Sequence, residues 1–308
     1  MHARSVVLAA LAGVVVSFVI PSAARSQARG VGPLVLQLPA STRAVGFGNA
    51  YVAMREAEAV FYNPANAGRT LVAASAERYG SQAVLAGFAS SFAFGPAGVG
   101  VGAQLVDYHV PVPGYPDLAP NGEQLTRTGP YAASSVVAAM SLAIPFKGIR
   151  WGVGAKVAQD RVAAARDGVL LADVGAAKEI GPLSLGVAVQ NLGTSAKLLG
   201  TSAALPTRAT IGFSGGGLPV GPFDFGASAA VSVRRGGRVT PAGGGELSYL
   251  IIDGVTIAGR LGTRLPERDG ELPVTMGGSF SFDRITLDYA FEPYHGEGSG
   301  HRLGIRVR

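Results

Sequence analysis

The 308-residue sequence contains no cysteine, which excludes a disulfide framework, a thiolate metal site and a cysteine nucleophile. Without cysteine, function rests on shape and on polar side chains, and charged residues are scarce at 15%. Beyond residue 20 there is also no uninterrupted apolar run near the ~20 residues that a spanning helix requires. That argues against a helical membrane protein, although a mean hydropathy of +0.31 and 45 glycines make the chain apolar for a soluble one. The formal net charge of +6 is spread along the chain, without the basic block or aromatic-basic interleaving of nucleic-acid modules. No nucleic-acid partner is expected. Of the four histidines, His2 lies in the leader and His109, His295 and His301 fall in or beside loops. None has metal-ligand spacing, so no metal and no cofactor are expected.

Residues 1–28 read as a secretory signal. Arg4 supplies the positive n-region, Val6 to Ile20 the apolar h-region, and Ser26-Gln27-Ala28 a small-x-small cleavage site, with cleavage after Ala24 as second choice. An uncleaved anchor is the alternative, but about fifteen apolar residues are short for a span.

What the sequence does contain is one pattern repeated from residue 71 to the end: roughly ten residues alternating apolar with small or polar, then a turn, about fourteen times. Near the C-terminus Ile285, Leu287, Tyr289 and Phe291 alternate with Thr286, Asp288, Ala290 and Glu292. Leu303, Ile305 and Val307 likewise alternate with Arg302, Gly304, Arg306 and Arg308. The expected fold is all-β, a transmembrane antiparallel barrel of about 14 strands over 71–308, behind a non-alternating hatch or plug at 29–70. Strands are expected at 71–79, 83–94, 98–108, 131–146, 149–160, 169–178, 183–191, 206–213, 223–234, 242–251, 255–264, 272–282, 285–293 and 301–308.

With a periplasmic N-terminus the connections should alternate between tight inner turns and longer outer loops. The inner turns are expected at 95–97, 145–148, 179–182, 214–221, 252–254 and 283–284. The outer loops are expected at 110–130, 192–205, 265–271 and 294–300, with 80–82 unusually short. Aromatic placement agrees, because rings favour the membrane-water boundary. Phe92, Phe94, Phe146, Trp151, Phe213, Phe223, Phe225, Tyr249, Phe280 and Phe282 fall beside the inner turns in the lipid phase. Tyr79, Tyr108, Tyr131 and Phe291 are candidates for the outer boundary. The opposite phase is rich in Gly, Ala and Ser, leaving room in the lumen. Its polar residues Lys156, Arg260, Asp288 and Arg302 are expected to satisfy a plug whose backbone needs partners.

Within the hatch, Asn63-Pro64-Ala65 forms a compact corner: proline fixes φ, asparagine turns the chain and alanine permits close approach. An ordinary turn into the first strand is the alternative to a gate. Glu56 and Glu58 are expected to pair with lumen arginines. The stripe Arg302, Arg306 and Arg308 reads either as an anion site or as a wall paired with Asp288 and Glu292. Gly212-Phe213-Ser214-Gly215-Gly216 fits the G-x-S-x-G pattern of hydrolases, but it ends a strand at a turn rather than entering a helix, so no catalytic residue is assigned. Gly46-x-Gly48 lacks a third glycine and a preceding strand for a dinucleotide site.

Several segments together resemble the PorV/PorQ family of outer-membrane barrels, a branch of the FadL-like transporters. They are Leu36-Gln37-Leu38-Pro39, Arg43-Ala44-Val45-Gly46-Phe47-Gly48-Asn49-Ala50-Tyr51, Phe61-Tyr62-Asn63-Pro64-Ala65, Leu185 to Gly193 and Leu287-Asp288-Tyr289-Ala290-Phe291. The resemblance spans essentially the whole mature chain. It departs at Tyr62, where the family usually has tryptophan, and at Arg308, where an aromatic usually closes the chain. The resemblance implies a 14-stranded barrel in the bacterial outer membrane, with a hatch whose gate residues would be Arg43, Gly46, Gly48, Asn63, Pro64 and Ala65. It implies either passive diffusion of a hydrophobic ligand or a docking role for secreted proteins in a type IX-like secretion system. The expected partners are outer-membrane lipid and one of these two, with the chain acting as a monomer and not as an enzyme.

Overall fold

The computed structural model describes residues 32–79, 83–110, 117–118, 124–125, 131–162, 165–194, 196–198, 201–267, 270–295 and 298–308. The expected signal segment, the 80–82 connection and most of 110–130 lie outside these residues.

Fourteen strands close into one antiparallel barrel. In chain order they are β1 (Leu71–Tyr79), β2 (Ala83–Phe94), β3 (Ala97–Val110), β4 (Tyr131–Phe146), β5 (Ile149–Val162), β6 (Ala165–Ile180), β7 (Leu183–Gly193), β8 (Arg208–Val220), β9 (Phe223–Arg234), β10 (Val239–Ile252), β11 (Val255–Arg264), β12 (Val274–Phe282), β13 (Ile285–Pro293) and β14 (Ser299–Val307). Each strand pairs with its chain neighbours, and β14 returns to β1 in a register that sets Ala73 opposite Arg306 and Glu77 opposite Arg302. Closure leaves no unpaired edge, which a hydrocarbon environment demands because no water is there to satisfy backbone groups.

The period-two alternation assigns faces as expected. Phe94, Phe146, Trp151, Phe280 and Phe282 are all exposed on the outer surface beside two-residue turns, forming a girdle at the short-turn end; Phe213 is exposed on the same face but lies within β8 rather than at its end. Two expectations change. The glycine-rich stretch 214–221 is not a turn: β8 runs on to Val220, absorbing Gly216 and Gly217 in a bulge between Gly215 and Leu218, and only then turns at Gly221. Gly217 adopts a φ of +73°, so the run of glycines bends a strand instead of ending it. Tyr79 and Tyr108 do not face lipid. They share the inward phase of Glu77 and Val106 and pack against the interior cluster, because a side chain's direction is fixed by its parity along the strand.

A second irregularity lies between β6 and β7, where the register slips between Ala172 and Val174. Two residues, Gln190 and Asn191, thus face one, Asp173. Asn191 takes a φ of +58°, and both side chains of the bulged pair are buried on the lumen side.

Residues 32–70 thread the lumen from the loop end to the short-turn end. At the first end Gly32 N donates to Ala204 O at 2.8 Å. At the other, Gly68 N donates to Ser91 Oγ at 2.7 Å. Between them the segment forms only short pieces: 3₁₀ turns at Leu34–Gln37, Ala57–Phe61 and Pro64–Asn66, and one helical turn, Thr42–Gly46, capped by Ser41. Proline and glycine break any longer helix. Nearly every hatch residue from 50 to 67 is buried. Phe47, Tyr51, Val60, Phe61 and Tyr62 form an apolar interior with wall residues Leu85, Val106, Val137 and Leu171.

Candidate functional site

The six hatch residues singled out in the sequence fall at two contacts on opposite sides of the barrel. Arg43, Gly46 and Gly48 meet β10 to β12. Asn63, Pro64 and Ala65 meet β5 and β6.

At the first contact six charged side chains close a ring. Arg43 Nη1 donates to Glu56 Oε1 at 2.6 Å, and Glu56 Oε2 accepts from Arg306 Nη1 at 3.3 Å. Arg306 Nε reaches Asp288 Oδ2 at 2.6 Å, and Asp288 Oδ1 accepts from Arg260 Nη1 at 2.8 Å. Arg260 Nε then donates to Glu246, whose Oε1 accepts from Arg43 Nη2 at 2.9 Å. Three guanidiniums alternate with three carboxylates, so the ring is neutral, and two of its members belong to the hatch. In a low-dielectric interior an alternating closed ring satisfies each charge from both sides, whereas removal of any member strands two neighbours. Burial alone would raise the Glu56 carboxyl, but Arg306 and Arg43 outweigh it and hold it below its usual range. Close packing completes the contact. Gly46 leaves room for the Arg260 stem, and Gly48, at φ +63°, lies so near β11 that a Cβ would come within 2.8 Å of Thr263 backbone.

At the second contact the corner is pinned by its own asparagines. Asn63 Oδ1 accepts from Ala65 N at 3.1 Å, while its Nδ2 donates to Val52 O at 2.9 Å and to Ala176 O of β6 at 3.2 Å. Asn66 Nδ2 also donates to Val52 O at 2.9 Å, and Arg150 of β5 donates to Ala65 O and Asn66 Oδ1 at 3.2 and 3.0 Å. The wall facing this corner is glycine. A Cβ at Gly152 would sit 2.5 Å from Ala65 Cα, and one at Gly175 would sit 3.1 Å from Asn63 Cγ. Immediately outside, an apolar groove of about 420 Å³ lined by Leu142, Ile144, Trp151, Val153, Val174 and Val187 runs over the same strands. One backbone layer separates hydrocarbon from the corner.

The remaining lumen residues form separate groups. Lys156 pairs with Asp173 at 2.6 Å and donates to Asn191 Oδ1 at 3.3 Å, tying the β6–β7 bulge to β5. Arg302, fully buried, holds Pro39 O at 2.8 Å and faces Glu77 at 3.5 Å. Arg264 joins Glu292 and Glu271. The C-terminal arginines thus divide between two carboxylate sets rather than forming one stripe, and Arg306 pairs with Asp288 as the wall reading expected. Ser214 lies within a continuous strand with no helix after it. Glu246, Glu77 and Arg150 were not singled out in the sequence. Their inward parity was the available signal, but parity does not say which hatch group lies opposite.

Glu58 differs from its neighbour. Burial pushes its carboxyl up; Arg306 opposes this without cancelling it, and nearby Glu56 adds to the rise. A carboxyl whose folded value lies above its unfolded one favours the folded state below the unfolded value, and that contribution is lost as pH rises through the folded one. Glu58→Gln should therefore raise hatch protection against hydrogen exchange at pH 7.5. It should also flatten the decline otherwise seen from pH 4.5 upward; an unchanged pH profile would show that Glu58 is not ionising in the hatch.

Neither a protein-family model nor a curated protein sequence matches the chain. Solved structures do match in fold. The toluene transporter TodX of Pseudomonas putida aligns with a TM-score of 0.56 at 11% identity, over 86% of this chain and 96% of that one. The fold is FadL-like. The monoaromatic hydrocarbon channel CymD gives a TM-score of 0.56 at 10% identity, over 90% of this chain and 96% of its own. The toluene transporter TbuX of Ralstonia pickettii gives 0.52 at 12%, over 91% and 97%. At such identities the likeness concerns the FadL-like barrel and does not extend to ligands.

Proposed function

We propose that this protein is a passive conduit of the bacterial outer membrane for hydrophobic small molecules, closed by residues 32–70, with its short turns in the periplasm. The observation that carries this reading is the placement of the Asn63 corner against a glycine-thinned wall, with an apolar groove on the hydrocarbon side. Structures of the same fold include transporters of toluene and a monoaromatic hydrocarbon channel. Among the described residues the hatch packs closely on the wall: the cavities between them beside Phe61 and Lys156, and beside Asn49 and Arg264, hold about 20 and 30 Å³. Passage therefore requires the corner to withdraw, giving a hydrophobe a route past the wall at β5 and β6 or onward to the periplasm. Arg43, Gly46 and Gly48 act as the fixed anchor and Asn63, Pro64 and Ala65 as the moving part. The PorV/PorQ resemblance is compatible with this role. The close packing of hatch on wall is the observation favouring the second reading, a non-transporting docking protein for secreted partners in a type IX-like system.

The test is uptake of a labelled fatty acid, and in parallel toluene, into liposomes containing the purified protein. The conduit predicts uptake above empty liposomes, and an increase on Asn63→Ala, which removes the bonds to Ala65, Val52 and Ala176. No uptake by either protein would refute the conduit and leave the docking reading standing.

A further inference from the structure

At the short-turn end a second cavity, of about 370 Å³, lies between the hatch exit and the rim formed by β2 to β6. Its size falls within the range of small-molecule sites. Its apolar lining includes Ala67, Pro96, Pro145 and Ile149, while its charged groups are Arg55, Arg150 and Glu179. Two guanidiniums from different elements converge on one carboxylate oxygen: Arg150 Nη1 lies 2.8 Å and Arg55 Nη1 3.6 Å from Glu179 Oε1. Arg69 places a third positive charge near both Arg55 and Glu179. Three guanidiniums against one carboxylate leave two positive charges uncompensated among these residues. Arg55 Nε is buried without a hydrogen-bond partner. Burial, Arg150 and Arg69 all disfavour the Arg55 cation, more than Glu179 restores it.

We propose that this cavity is a binding site for a phosphate monoester or diester carrying a small polar group, such as a glycerol phosphate. The phosphate would take the place of the Glu179 carboxylate between Arg55 and Arg150. Both guanidiniums share a single oxygen of the Glu179 carboxylate, whereas a phosphate offers each guanidinium fork oxygens of its own. The girdle residues Phe94, Phe146 and Trp151 directly precede or follow lining residues Gly95, Pro145 and Arg150. This sets the cavity at the level where ring side chains mark the headgroup region. A phospholipid headgroup and a soluble phosphate ester are the two sources of that chemistry. Because Arg150 also holds Ala65 O and Asn66 Oδ1, an anion drawing on Arg150 acts on the same side chain that pins the hatch corner. The site does not depend on cargo passing through the barrel, so a failed uptake assay leaves it untouched.

The test uses the full-length folded protein. In zwitterionic detergent it is titrated calorimetrically with sn-glycerol 1-phosphate. In nanodiscs of phosphatidylcholine with and without phosphatidylglycerol, retained lipid is counted by native mass spectrometry. In at least one arm binding is expected to the wild type, with Arg55→Gln weakening it about tenfold through loss of a charge-assisted pair. Glu179→Gln, which removes the internal competitor, is expected to tighten it several-fold, roughly the worth of one such pair. Binding confined to the first arm identifies a soluble ester, and binding confined to the second a lipid headgroup. Absence of binding in both arms, or equal affinity of wild type and Arg55→Gln with heat-modifiable gel mobility retained, overturns the proposal.

Discussion

Replacing Asp288 by alanine should free the anchored half of the hatch without opening the barrel. Asp288 stands between Arg306 and Arg260, at 2.6 and 2.8 Å, and it is buried. Its loss leaves two guanidiniums facing each other with one carboxylate each, Glu56 and Glu246, and breaks the ring at its midpoint. Removing one member of a buried ion pair costs about 3 to 5 kcal/mol, because the partner's desolvation is no longer offset. The barrel ladder does not depend on this side chain, so the cost falls on docking of the hatch. Hydrogen exchange of amides 43–60 should accelerate by two orders of magnitude or more, about the factor that 3 kcal/mol implies. Trypsin should also cut at Arg43 or Arg55 while the barrel keeps its heat-modifiable mobility. The double change Asp288→Leu with Arg306→Met should recover much of the protection, since apolar replacement of a whole buried pair is often neutral. Unchanged exchange in Asp288→Ala would mean that the ring does not hold the hatch.

Gly152→Val should act at the opposite anchor. The strand carrying Gly152 is fixed on both sides, to Ala143 of β4 and Gly175 of β6, so it cannot retreat. A Cβ there would lie 2.5 Å from Ala65 Cα, and valine adds two methyls to that conflict. Overpacking of this kind costs about 1 to 3 kcal/mol even where neighbours can shift; here the element able to shift is the corner. Its displacement breaks the Arg150 and Asn63 bonds together. Planar-bilayer conductance and liposome uptake should rise above wild type, with Asn63 to Asn66 becoming accessible to protease. A variant that stays as quiet and as protease-resistant as the wild type would show that the corner is not the closure. These two substitutions separate the anchors: the first loosens the hatch where ions hold it, the second where shape does.

Much of the architecture was legible from alternation alone. A strand in a barrel has lipid on one face and the lumen on the other, so its sequence must change character at every residue, and fourteen strands could be placed with modest errors at their ends. The girdle was legible for the same reason, as rings at the boundary satisfy both an apolar body and a polar edge. Errors arose where one local signal stood for two structures. The run Gly215-Gly216-Gly217 is compatible with a turn or a bulge, and only pairing with β9 distinguishes them. Tyr79 and Tyr108 match a boundary aromatic by position, yet their parity turns them inward.

By itself the sequence determined the fold class, the face of most strand residues and the presence of an irregular segment able to fill the barrel. All of these follow from patterns over neighbouring residues. Tertiary structure alone decided which charges meet, because Arg43, Glu56, Glu246, Arg260, Asp288 and Arg306 come from one hatch and four strands. Their ring exists only when the hatch lies against β10 to β14. It likewise decided that Gly152 and Gly175 face the Asn63 corner, a match of backbone to backbone across the lumen that leaves no mark in either segment alone.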